Sequence, residues 1–112
     1  MANIFKSVTF ADVNNSQEFY TVPVGSTVTV IGLTITQAAV STGTTVNAFV
    51  YVDKSIGDTV DIVRSAIIPT GGTLVVVGGD QKLVLESQDS IYFRTINSSQ
   101  YIDVMMSYME TT

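Results

Sequence analysis

Apolar and polar residues alternate in short bursts along this chain, and the pattern is clearest in two places. Val46, Ala48, Val50 and Val52 alternate strictly with Asn47, Phe49, Tyr51 and Asp53. A period of two places the small aliphatics on one face of a strand and the two aromatics on the other. Positions 101–110 repeat the device, with Ile102, Val104, Met106 and Tyr108 on one face. Tyr101, Asp103, Met105, Ser107 and Met109 make the other. Between these segments lie three short apolar runs, 74–77, 83–85 and 91–93, separated by Gly78-Gly79-Asp80 and Ser87-Gln88-Asp89. Runs this short cannot bury themselves, and such tight connections return each one beside its predecessor. That predicts an antiparallel sheet.

The upstream half follows the same grammar. Positions 4–10 read as an edge strand whose Ile4, Val8 and Phe10 face the core, followed by a turn cluster at 12–16. A second strand at 18–22 stops at Pro23, which has no N–H for a ladder, and 24–26 turn the chain. In the long run 27–37, Val28 and Val30 fall on one face, but Leu33 and Ile35 fall on the other. A β-bulge at Ile31-Gly32 would return both pairs to one side. Positions 38–44 read as a loop of small polar residues and 54–58 as a hairpin turn. Positions 59–68 form a strand in which Val60 and Ile62 oppose Asp61 and Val63, ending at the turn Pro69-Thr70-Gly71-Gly72. No helix and no repeat emerges. The expected fold is all-β, an antiparallel β-sandwich of about eight strands, jelly-roll-like or immunoglobulin-like, in one domain over 1–112.

Composition narrows the function more than it names it. Charged residues make up 13% of the chain, with a net charge of −5 and five scattered basic side chains. That is too little positive charge to grip a phosphate backbone, so no nucleic-acid partner is expected. Apolar residues reach 46%, yet no run is long enough to span a bilayer, so no membrane partner is expected. Met1 to Lys6 lacks the basic-then-apolar order of a signal peptide, so none is expected. Cysteine and histidine are both absent. The chain therefore has no disulfide and no thiolate or imidazole metal ligand, and it lacks the commonest general base.

The remaining chemistry is thin. Asp58, Asp61, Asp80 and Asp89 lie in or near turns, but turn formation explains them as well as calcium does. Glu86 and Glu110 carry nothing that selects them as a glycosidase pair. Serine would have to work with a lysine at no motif spacing. Asn14-Asn15-Ser16 and Asn97-Ser98-Ser99 match the glycosylation triplet, which has meaning only after secretion. The expectation is no enzyme, no cofactor and no metal. What remains is apolar surface. Phe49 and Tyr51 are either covered by a neighbouring loop or strand, or exposed for assembly. Met105 and Met109 share a face with Tyr101 and suit an adaptable partner contact, unless a second sheet buries them. The candidate contact residues are thus Phe49, Tyr51, Tyr101, Met105 and Met109.

A resemblance adds to this. The residues that carry it are Phe19-Tyr-Thr-Val-Pro-Val-Gly-Ser-Thr-Val-Thr-Val-Ile-Gly-Leu-Thr-Ile35 and Ala66-Ile-Ile-Pro-Thr-Gly-Gly-Thr-Leu74. It continues with Lys82-Leu-Val-Leu-Glu-Ser-Gln-Asp-Ser-Ile91 and Asp103-Val-Met-Met-Ser-Tyr-Met-Glu-Thr111. In order and wording these stretches resemble a family of small virion structural proteins of tailed bacteriophages, and the likeness covers most of the chain. Gln88 stands where that pattern often has glycine. The resemblance implies synthesis in a host cytoplasm and a virion location, on the capsid surface as a decoration or cement protein. Its partners would be the major capsid protein or other virion proteins, with homo-oligomer contacts between copies. A neck, tail or head-fibre role, or a receptor- or glycan-binding module using Tyr20, Tyr92 or Tyr101, is the alternative. The pattern marks a fold and transfers no site residues.

Overall fold

The computed structural model describes residues 3–38 and 45–112. Nine strands follow in order: β1 (Asn3–Val13), β2 (Glu18–Thr21), β3 (Thr27–Gln37), β4 (Thr45–Asp53) and β5 (Thr59–Pro69), then β6 (Thr73–Val77), β7 (Leu83–Leu85), β8 (Ser90–Thr95) and β9 (Ile102–Thr111). Every pairing is antiparallel. One sheet runs β1-β9-β3-β6, with β7 also paired to β3, and the other runs β2-β8-β4-β5. The two sheets pack face to face as a β-sandwich.

The alternation explains the core. Val46, Ala48, Val50 and Val52 from β4 meet Ile102, Val104 and Met106 from β9, and all are buried. Phe93 and Leu33 are the largest wholly enclosed side chains. In β3 the pairing with β9 slips between Val30 and Gly32. That bulge puts Val28, Val30, Leu33 and Ile35 on the same buried side. A Cβ at Gly32 would sit at an ordinary contact distance of 3.9 Å from the Ser107 Cβ, so the glycine does not mark a close approach.

Two expectations need correction. Ile4 does not face the core: it is 48% exposed and lies opposite Glu110, where β1 pairs only with β9. Val8 and Phe10 do pack against the core as expected. β1 also runs on to Val13 through a register shift, with Asp12 at a φ of 55° and its N–H donated to Asp103 Oδ1 at 2.9 Å. The turn expected from position 12 therefore starts later. Of the loop expected at 38–44, positions 39–44 lie outside the described residues.

The connection from β7 to β8 carries the strongest polar feature. Asp89 is completely buried. Its carboxylate accepts from Lys54 Nζ at 2.5 Å, Ser55 N at 3.0 Å and Glu86 N at 2.8 Å. Its backbone carbonyl accepts from Val22 N at 2.9 Å. One aspartate thus ties the end of β2, the β4–β5 hairpin and its own turn together. Within that turn Gln88 holds a φ of 69°, a backbone region where glycine is at ease and other residues are strained. A residue other than glycine at 88 therefore costs backbone strain in this turn.

Candidate functional site

The outer faces of the two sheets differ sharply in chemistry, and each collects some of the candidate contact residues. On the five-stranded sheet, register sets Phe5 beside Met109, Met109 beside Thr29, and Thr29 beside Val84. A second row runs Thr9, Met105, Thr34 and Val75. Between the rows lies the smooth line Ser7, Ser107 and Gly32. Phe5, Val75, Val84 and Met105 are 72%, 61%, 54% and 51% exposed. Among the described strand residues of this face, charge is confined to the end where Asp12 and Asp103 meet, and one Asp103 oxygen is occupied by the Asp12 N–H. The result is a charge-poor surface of hydroxyls and apolar tips.

The four-stranded sheet turns a different face outward. Phe19 on β2, Tyr92 on β8 and Tyr51 on β4 lie directly across from one another, each pair with ring centroids 5.0 Å apart. Tyr51 and Tyr92 are nearly parallel, at 4°. The Tyr51 hydroxyl donates to Gln17 Oε1. Burial raises the Tyr51 phenol above its ordinary value, partly opposed by the Arg94 charge. Beside this row the Arg94 guanidinium covers the Phe49 ring at 4.0 Å. Phe49, Tyr51, Thr59, Asp61, Arg64 and Arg94 line a groove of about 350 Å3.

The structure therefore divides the five candidates. Met105 and Met109 lie on the outer face of the five-stranded sheet, and no second sheet covers them. Phe49 and Tyr51 lie on the opposite outer face, each half-covered by Arg94 or Tyr92. Tyr101 precedes β9, is part-buried, and accepts the Ala38 N–H through its backbone carbonyl at 3.0 Å. The three tyrosines of the receptor-binding alternative do not share a face. Tyr20 points inward against Tyr108, where burial and that neighbour push its phenol up. Phe5 was not singled out from the sequence, although its place opposite Ile4 in the alternation was the signal.

Asp89, Glu86, Glu110, Asn14 and Asn97, all considered for chemistry, have structural partners. Asp89 is committed to Lys54 and two backbone N–H groups. Glu110 is buried beside Lys6 Nζ at 3.2 Å and Ser26 Oγ at 3.5 Å, whereas Glu86 is exposed and reaches Lys54. Asn14 and Asn97 each accept the N–H two residues on, at 2.9 and 3.0 Å, which is a turn role.

No protein-family model and no curated protein sequence matches the chain. Solved structures do. A chain in the acid-stable capsid of the Helicobacter pylori bacteriophage KHP30 aligns with a TM-score of 0.53 at 11% identity, covering 100% of this chain and 94% of that one. The Drosophila NLP core, described in terms of pentamer formation and histone binding, aligns with a TM-score of 0.50 at 16% identity, covering 97% and 99%. What is shared is the fold. In both cases the sandwich accounts for nearly the whole length of the neighbour.

Proposed function

We propose that this chain is a non-enzymatic virion structural protein that decorates a capsid and cements it. In this reading it binds the major capsid protein through the outer face of the five-stranded sheet. The observation that carries the reading is the chemistry of that face: exposed Phe5, Val75, Val84 and Met105 on a background of hydroxyls, with charge among its described strand residues confined to Asp12 and Asp103 at one end. Burying apolar tips is favourable, and leaving ions out of the contact avoids the cost of stripping water from them. A chain of nearly equal length and the same fold in a phage capsid supports the location.

Contacts between copies fit the edge of the other sheet. β5 is an eleven-residue edge strand that exposes Val60, Ile62 and Ile67. Long apolar edges invite pairing with another chain unless something covers them. A neighbouring copy in a closed ring would do so.

Particles assembled without the protein test the role. They are expected to lose DNA at lower temperature and on milder osmotic shock, and adding the purified protein back restores the original resistance. Unchanged resistance in particles that lack it would remove the cementing role.

A further inference from the structure

We propose that the groove between β4 and β5, on the outer face of the four-stranded sheet, binds a carboxylate-bearing sugar. The chain is acidic overall, and its three lysines are already employed. Lys6 pairs with Glu110, Lys54 with Asp89 and Glu86, and Lys82 donates to the Gly79 carbonyl at 2.7 Å. Its two arginines, Arg64 and Arg94, meet in the one groove, and among the described residues neither makes an ion pair. Arg94 is held over the Phe49 ring and gives an N–H to the Thr95 carbonyl at 3.3 Å. A guanidinium has five N–H donors, so most of its fork remains available. A pre-set guanidinium beside a second one suits the planar, two-pronged shape of a carboxylate.

The rest of the lining points to a sugar over a simple anion. Asp61 and Thr59 stand in the same groove. A carboxylate such as Asp61 repels any anion, most of all a doubly charged phosphate or sulfate, but accepts readily from hydroxyls, which a sugar acid offers beside its single charge and sulfate lacks. Tyr51 stacks one ring face on Tyr92 of β8, which leaves the other turned toward β5 and Asp61, its partner across the strands. An aromatic face beside hydroxyl acceptors complements the apolar side of a sugar ring. The volume of about 350 Å3 lies at the small end of ligand pockets, enough for one or two rings. This groove faces away from the charge-poor sheet, so the site is independent of the capsid contact.

The test is titration of the purified protein with sialyllactose and digalacturonate, followed by the amide NMR shifts of β4 and β5. Lactose and inorganic phosphate serve as controls. Both acidic sugars are expected to bind with Kd of about 1 mM, with lactose and phosphate at least roughly tenfold weaker. Arg64→Gln removes one charge-assisted contact and lowers the affinity about tenfold. Arg64 is exposed, so thermal unfolding should be unchanged in that variant. Three results would overturn the proposal: acidic sugars binding no better than lactose, phosphate binding as tightly at the same amides, or Arg64→Gln leaving affinity intact. Failure here leaves the capsid role standing, because that role is read from particle stability.

Discussion

Replacing Asp89 with alanine is expected to lower the unfolding free energy by about 3–5 kcal/mol, because it removes a buried charge-assisted bond and strands two backbone N–H groups. The carboxylate is fully enclosed and holds Lys54, Ser55 N and Glu86 N. Its removal leaves the two N–H groups without an acceptor and Lys54 with the exposed Glu86 carboxylate alone. Urea unfolding of the variant measures this. A loss below about 1 kcal/mol, the range of an exposed ion pair, would show that the junction contributes little.

The same group sets a pH dependence. Burial alone would raise the Asp89 pKa, but the Lys54 ammonium and the N–H bonds from Ser55 and Glu86 outweigh it and hold the carboxyl below its ordinary 3.8. Protons therefore bind the unfolded chain more readily than the folded one. The stabilisation is present in full above that ordinary value and drains away as pH falls below it, through the depressed folded value. Lys54 completes the pattern from the other side. Its pKa is raised above 10.5, chiefly by the hydrogen bond to Asp89, so its share is lost only as pH climbs past the raised value. Asp89→Ala should remove most of the acid-side slope below the ordinary carboxyl value of 3.8.

The second large effect concerns the face and leaves the fold alone. Met105 is 51% exposed in the middle of the charge-poor sheet, flanked by Thr9 and Thr34. Met105→Glu puts a charge where the capsid contact excludes water. Desolvating that carboxylate without a partner costs several kcal/mol, so particle occupancy should fall at least about a hundredfold. Thermal unfolding should move little, because the side chain points outward. The control Thr59→Glu, on the opposite sheet, should leave occupancy unchanged. Equal occupancy for Met105→Glu and the unaltered protein would move the contact elsewhere.

How much of this was legible in the sequence depends on how far apart the partners lie. Strict alternation in 46–53 and 101–110 marked the core faces of β4 and β9 correctly, since parity is a local property. The phase break at Ile31-Gly32 exposed the bulge for the same reason. Parity says that a side chain leaves the core, but not which outer face it joins. That is why Phe49 and Tyr51 stood in one set with Met105 and Met109. Ile4 had the parity of a core residue, yet β1 has a partner strand on one side only. Asp89 looked like any turn aspartate, because its ammonium partner lies 35 residues upstream. The groove was invisible for a similar reason. Arg94 reaches Phe49 only through the β4–β8 register, and Asp61 and Arg64 join them only through β5.

A cryo-electron map of the intact particle tests the central claim most directly. The account predicts the sandwich seated on the shell with Phe5, Met105 and Met109 turned against it and Arg64 and Arg94 facing away from it. A map in which the five-stranded sheet faces solvent, or in which the sandwich is absent from the shell, would contradict it.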